Sequence, residues 1–316
     1  MKAPVLLIAF NRPDFTSRVF ETIRKYKPKK LYMAANAPRK ERDGEALRCK
    51  EVRNIIKAVD WDCEVHTLFR KDHLRLKLSV SSAIDWFFKN EEQGIILEDD
   101  IIPEPSFYQF CEELLERYKD DERIGMISGD NFGFGQKRDK NSYYFSRYSH
   151  IWGWASWRRS WKDYDLHMSD YSQFLEQDRL KDIFQDPREC DFWKSAFNKV
   201  AFDDFETWDY QWVYSNLKNN RLNIMPSVNL IENIGFGETA AHTTEVNSPY
   251  ANMQVQALSF PLKHPDFMIR DPWSDEFSVK SFLPPYKHPF VIFIGRLHPF
   301  RIFNKLKRII SALLKN

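Results

Sequence analysis

Cysteine, glycine and long apolar runs are scarce in this 316-residue chain, and each scarcity removes a class of protein. The four cysteines, Cys49, Cys63, Cys111 and Cys190, lie far apart with no C-x-x-C pair and no metal-finger spacing. Reduced structural thiols in a cytosolic chain are therefore the expectation, not a disulfide framework or a zinc site. Ten glycines exclude a collagen-like repeat, and no apolar run approaches the roughly 18 residues that a membrane span requires. The N-terminal apolar stretch Pro4 to Phe10 lacks a small-residue cleavage site and runs into an Asn-Arg-Pro turn. It reads as a buried strand, and export is not expected. Neither G-x-G-x-x-G nor G-x-x-x-x-G-K-[ST] follows any candidate strand, so a Rossmann dinucleotide fingerprint and a P-loop are both unsupported.

Acids are also missing from one end. After Glu276 there are none, while residues 277–316 carry five lysines and three arginines, which leaves the first 276 residues at −6 within a whole-chain charge of +2. An acidic body argues against nucleic acid as a partner, and a basic tail suits an anionic surface.

In the first 130 residues apolar strands alternate with amphipathic helices, the pattern of an α/β fold with a mainly parallel sheet. Strands are predicted at Val5 to Phe10, Lys30 to Ala35, Cys63 to Phe69, Gly94 to Leu97 and Ile124 to Ser128, with helices near Phe15 to Tyr26, Leu47 to Val59, Ser79 to Asn90 and Pro105 to Tyr118. Ligands of such sheets bind beyond the carboxyl ends of the strands, so the residues that follow each strand carry the functional argument. Asn11-Arg12-Pro13 follows the first and either caps a helix or offers N–H groups and a guanidinium to a diphosphate. Asn36 follows the second and either meets a nucleobase edge or holds a turn.

The most informative run is Gly94-Ile95-Ile96-Leu97-Glu98-Asp99-Asp100-Ile101-Ile102-Pro103. Three carboxylates emerging together from a buried strand repel one another unless a cation compensates, which points to a hard divalent metal; the alternative is a solvated acidic turn. Ten tryptophans are the other excess, among them Trp152, Trp154, Trp157, Trp161, Trp208 and Trp212. Most are expected in the core, although aromatic faces also stack on sugars. Asp209, beside Trp208, is a candidate general base if it lies in a cleft, and otherwise a helix-surface acid.

The order Pro4-Val5-Leu6-Leu7-Ile8-Ala9-Phe10-Asn11-Arg12-Pro13, Glu98-Asp99-Asp100 with Pro103 and Phe107, Gly153-Trp154, Trp208-Asp209, Phe236-Gly237 and His242 resembles the N-acetylglucosaminyltransferase I type of GT-A glycosyltransferase, and its bacterial relatives more closely. The similarity covers about residues 3 to 245, with Glu-Asp-Asp after a strand as its specific element. It implies a GT-A, Rossmann-like mixed sheet, mainly parallel and flanked by helices, and an inverting, metal-dependent hexosyl or N-acetylhexosaminyl transfer from a nucleotide sugar, a UDP-sugar above all. By the resemblance, Asp100 binds Mn²⁺ or Mg²⁺ bridging the donor diphosphate, Glu98 and Asp99 lie near the donor's sugar and ribose, and Arg12 and Phe10 belong to the nucleotide side. Asp209 matches the proposed catalytic base, Trp154 and Trp208 are placed against donor sugar or acceptor, and the loop Gly235 to Thr244 orders over the donor. The family's base-contacting Asp is Asn36 here, and a glycine common in bacterial relatives falls near Arg75, where Arg75 or Lys77 either contacts phosphate or is solvated. His242 is either a further metal ligand or a packed loop histidine.

The expected organisation is a catalytic domain over 1–262, with a nucleotide-sugar half (1–130) and an acceptor half (131–262), then a basic amphipathic tail over 263–316. From Phe300 to Leu314 apolar residues recur at steps of three and four, flanked by Arg301, Lys305, Lys307, Arg308 and Lys315. Such a helix lies in the plane of an anionic membrane or docks on protein. The membrane reading makes the protein peripheral on the cytoplasmic leaflet, with a saccharide acceptor, lipid-linked or free, in bacterial surface-polysaccharide or glycolipid assembly. A non-catalytic carbohydrate- or nucleotide-sugar-binding protein of the same fold is the alternative. A nucleotidylyltransferase is disfavoured because no glycine-rich basic loop follows the first strand.

Overall fold

The computed structural model describes residues 2–236, 248–251, 253–280 and 283. His242 and the amphipathic segment from Phe300 to Leu314 lie outside them. The first half alternates as the sequence predicts. β1 (Val5–Ala9), α1 (Pro13–Tyr26), β2 (Lys30–Ala35), α2 (Glu45–Asn54), β3 (Glu64–Phe69), α3 (Leu76–Asn90) and β4 (Gln93–Glu98) are followed by β5 (Ile101–Pro103), α4 (Pro105–Arg117) and β6 (Ile124–Ser128). The second half adds β7 (Tyr143–Ser146), β8 (Trp154–Trp157), α5 (Arg158–Trp161), α6 (Tyr171–Glu176), α7 (Leu180–Ile183), α8 (Pro187–Phe202), α9 (Asp209–Lys218), β9 (Leu222–Pro226), β10 (Ile231–Asn233) and α10 (Pro272–Lys280).

Eight strands form one mixed, Rossmann-like sheet in the order β3-β2-β1-β4-β8-β6-β9-β7, and β5 pairs antiparallel with β10 in a separate ribbon. β1, β2, β3 and β4 run parallel, while β8 enters antiparallel between β4 and β6. The chain moves from β1 outward to β2 and β3, then crosses back to place β4 on the other side of β1. That reversal opens a crevice at the carboxyl ends of β1 and β4, where ligands of open α/β sheets bind.

The period-2 alternation of β1 divides the core. Val5 and Leu7 point to the face covered by α1 and α4, with Val19, Phe20, Phe110 and Leu114. Leu6 and Ile8 point to the opposite face, with Ile84 and Phe87 of α3 and Trp212 of α9. Strands buried on both faces read as continuous apolar runs, which is why β1 is legible without any polar alternation. α1 starts at Pro13, buries Thr16, Val19, Phe20 and Ile23 at helical spacing, and stops where Lys27 turns left-handed (φ 55°) and its N–H bonds the Ile23 carbonyl. No helix among the described residues is long and apolar enough to cross a membrane.

Beyond residue 262 the chain continues along the sheet edge. Arg270 bridges Phe145, the Asp271 N–H donates to the Phe145 carbonyl at 2.7 Å, and Asp275 of α10 is buried against Ser146 and Arg270. Residues 263–280 thus belong to the folded body.

Against that docked segment sits Glu189 of α8, 7% exposed, with Oε1 lacking a hydrogen-bond partner. Burial, helped by the charge of Asp275, raises its carboxyl from 4.5 to about 7. A raised carboxyl pKa favours the folded state in full below the unfolded value, and that contribution is lost as pH rises through the folded one. Glu189→Gln is expected to match wild type in thermal melts near pH 4 and to be more stable near pH 8, by on the order of 1–3 kcal/mol. Equal melting temperatures for the two proteins at the higher pH would show that Glu189 ionises without strain.

Candidate functional site

A cleft of about 820 Å³ lies over the β1/β4 crevice. Phe10, Asn11 and Arg12 enter it from the end of β1, Asn36 from the end of β2, Glu98, Asp99 and Asp100 from the end of β4, and Thr207 to Tyr210 from the start of α9. The first strand's exit and the acidic run, nearly ninety positions apart in sequence, meet there. The Arg12 guanidinium pairs with Asp99 and lies 3.0 Å from Asp100 Oδ2, and the Phe10 N–H donates to Asp99 Oδ2 at 3.2 Å.

One guanidinium faces an excess of negative charge. Asp99 is 3% exposed, and burial pushes its carboxyl up to about 6 against the pull of Arg12. The Glu98 carboxyl has no hydrogen-bond partner among the described residues; burial first, then Asp100 and Asp99, raise it to about 8, and the charge of Asp209 adds to the effect. Burial opposes the charge on Arg12 as well, yet Asp99 and Asp100 outweigh it and hold the guanidinium ionised. Arg12 stands at the N-cap of α1, where its carbonyl accepts from the Thr16 N–H at 2.9 Å, while its side chain makes no cap hydrogen bond and lies among the acids.

Asp100 sits where the chain leaves the main sheet for the β5–β10 ribbon. Its carbonyl accepts from the Ile234 N–H at 2.9 Å, and a Cβ on Gly235 would collide with Asp100 Oδ2. Glycine at 235 therefore keeps room for that carboxylate, a close-approach role for which glycine is suited. The donor set fits a hard divalent cation, since it is all oxygen, carries surplus negative charge, and has a carboxylate kept clear by a missing side chain. Among the described residues no three His, Cys, Asp or Glu side chains close a metal cage by themselves. The fit is to a cation held by one or two carboxylates together with ligand phosphates.

Asp209 is the first residue of α9, and both of its hydrogen bonds fall on Oδ1. The Thr207 hydroxyl donates to it, and so does the Tyr210 N–H at 2.9 Å, which leaves Oδ2 without a described partner. Trp208 lines the cleft although only 4% of it is exposed.

Three further sequence candidates are placed by their contacts. Trp154, proposed as a sugar or acceptor contact, is 1% exposed on β8, packed against Trp161, Trp208 and Trp212, and does not line the cleft. The cause is Gly153, whose left-handed φ of 63° turns the chain so that Trp152 faces the cleft and Trp154 the core. Lys77 does not reach the cleft either: its ammonium pairs with Asp204, and Asp204 and Glu206 also hold Arg75. Asn36 lines the cleft but spends its amide on the chain, with Oδ1 accepting from the Ala37 and Leu74 N–H groups at 2.9 and 3.0 Å and Nδ2 donating to the Leu74 carbonyl at 2.8 Å.

Sequence reasoning also missed a network beside Phe10. Glu45, wholly buried, accepts from Asn11 Nδ2 at 2.8 Å and pairs with Arg39 at 2.5 Å; the Arg39 hydrogen bond above all brings its carboxyl down to about 2. Arg39 in turn lies over the Phe10 ring, whose other neighbour is His73 with ring centroids 5.3 Å apart. The signal available in sequence was a lone Glu at the start of a helix with little amphipathic character.

No protein-family model matches this chain, and no curated protein does. Solved structures that resemble it include HddC from Yersinia pseudotuberculosis, at 10% identity over 51% of this chain and 80% of that one with a TM-score of 0.32. A UDP-glucose pyrophosphorylase complexed with UDP-glucose resembles it at 11% identity over 52% and 71%, with a TM-score of 0.29. Likeness at these scores carries no argument about this chain, whose fold rests on its own topology.

Proposed function

We propose that this protein is a metal-dependent, inverting glycosyltransferase of GT-A type that takes a nucleotide sugar as donor and a saccharide as acceptor. The observation that carries the reading is the convergence of Glu98, Asp99, Asp100 and Asp209 with Arg12 in one cleft at the β1/β4 crevice. Surplus carboxylate charge beside a single arginine suits a divalent cation and a diphosphate together, since each alone would leave charge uncompensated.

In this reading the nucleoside lies toward Phe10, His73 and Arg39, where aromatic and cationic surface meets the end of β2. Asp100 would hold the cation, which when bound supplies Lewis-acid stabilisation to the leaving diphosphate. Arg12 stays charged through the reaction and adds a fixed cation beside the same groups. Asp209, its Oδ1 fixed by Thr207 and Tyr210, receives the proton of the acceptor hydroxyl at Oδ2 as that oxygen attacks the anomeric carbon. A single displacement with one base inverts the anomeric centre, and no nucleophilic carboxylate is required.

The test is a thermal-shift screen of nucleoside diphosphates, nucleoside triphosphates and nucleotide sugars, each with and without Mn²⁺. A ligand that binds the native state raises its melting temperature, by about 2.7 kcal/mol of added stability at a hundredfold excess over Kd. The expected result is a Mn²⁺-dependent shift with a UDP-sugar, followed by a transfer product whose anomeric configuration, read by NMR, is inverted. Retention of configuration would refute the single displacement. A shift with triphosphates alone, accompanied by pyrophosphate release, would assign the cleft to nucleotidyl transfer instead.

A further inference from the structure

The acceptor's own binding surface is left open by the loss of Trp154 from the cleft, and a different aromatic side chain stands in its place. Nine large apolar side chains are exposed among the described residues, and Phe205, 40% exposed, is the one of them that lines the cleft. It lies four positions before Asp209, and the Tyr210 ring stacks on it at 6.3 Å with the planes 18° apart.

The segment that carries Phe205 is held from both sides. Asp204 pairs with Arg75 at 2.7 Å and with Lys77, and Glu206 pairs with Arg75 and accepts from the Lys77 N–H at 2.9 Å. Positions 204 and 206 thus face the start of α3, while positions 205 and 207 face the cleft, where Thr207 holds Asp209. The strap is closed by the Phe205 N–H donating to the Lys199 carbonyl at 3.1 Å. An aromatic ring kept half in water by three ion pairs and a backbone hydrogen bond has been pre-organised before any ligand arrives, which removes part of the ordering cost of binding.

We propose that Phe205, backed by Tyr210, is the platform on which a pyranose ring of the acceptor lies. The proposal rests on the glycosyltransferase reading above and names the chemistry of its second substrate. A general base must lie within about 3 Å of the hydroxyl it deprotonates, so the acceptor ring has to sit beside Asp209. A pyranose presents an apolar C–H face and a rim of hydroxyls. The C–H face matches the exposed ring of Phe205, and the rim then reaches toward Thr207 and Asp209. Arg75 and Lys77, read from sequence as phosphate contacts or solvated cations, instead position this strap.

The experiment is saturation-transfer difference NMR of the full chain with UDP and Mn²⁺, using the methyl β-glycosides of glucose, galactose and N-acetylglucosamine as probes. Ring C–H signals are expected with wild type, weaker by about fivefold or more in Phe205→Ala and restored in Phe205→Tyr, which keeps the ring face. Circular dichroism of each variant establishes that it is folded. Wild-type signal strength in folded Phe205→Ala, or no signal from any glycoside with wild type, overturns the platform. A thermal shift of wild type with UDP and Mn²⁺ separates this from the reading beneath it. Signals that depend on Phe205 without a nucleotide shift keep the sugar platform and refute the nucleotide-sugar site, and a nucleotide shift with signals indifferent to Phe205 does the reverse.

Discussion

Asp100→Ala is expected to lower kcat/KM for sugar transfer by on the order of 10³-fold or more, which is about 4 kcal/mol of transition-state stabilisation, and to remove the Mn²⁺ dependence of donor binding. The size follows from the position of the carboxylate. It is the acid at which the strand leaves the sheet, and Gly235 keeps the space beside its Oδ2 clear. Folding should survive, because Arg12 retains Asp99 as a partner and Glu98 loses one of the charges that repel it. Melting curves and Mn²⁺ titrations with a UDP-sugar measure the two effects separately. Gly235→Ala approaches the same carboxylate from outside: the added methyl displaces it, so weaker Mn²⁺ dependence is expected with every acid still in place. Full activity in Asp100→Ala would return the acidic run to the status of a solvated turn.

Asp209→Asn is expected to reduce kcat by about 10²- to 10⁴-fold, the range over which a positioned base contributes, with donor affinity close to wild type. The substitution keeps the shape of the side chain and an oxygen for Thr207 and Tyr210, so what it removes is basicity. Single-turnover rates and equilibrium donor binding distinguish the two outcomes. A collapse of donor affinity with little change in the chemical step would make Asp209 a binding group.

The alternating half of the fold was legible because its physics is local. Val5 to Ala9 and Ile124 to Ser128 are buried on both faces and read as unbroken apolar runs, and the helix that begins at Pro13 shows its buried positions at steps of three and four. The predicted strands and helices of residues 1–130 agree with the observed ones to within a few positions at each end. β8 was not legible. Trp154-Ala155-Ser156-Trp157 resembles a surface aromatic motif as easily as a strand, and its insertion between β4 and β6 is set by partners far along the chain. The same non-locality hid the strap at Phe205, since the reason residues 204 and 206 turn away from the cleft is Arg75 and Lys77, about 130 positions earlier.

What the sequence determined by itself is therefore the class of sheet, the identity of its first four parallel strands, and the presence of three acids at the end of one of them. Each follows from hydrophobic periodicity and from the electrostatic strain of adjacent carboxylates, which neighbours a few residues apart suffice to reveal. Which side chains share the cleft was decided only by tertiary structure. The crossover that sets β4 beside β1 brings Arg12 to Asp99 and Asp100, and the left-handed turn at Gly153 sends Trp152 outward and Trp154 into the core. Backbone hydrogen bonds to Leu74 occupy the amide of Asn36, and ion pairs with Asp204 draw Lys77 away. These outcomes depend on which distant segment supplies the partner, and pairing energy between segments far apart in the chain leaves no periodic trace in the order of the residues.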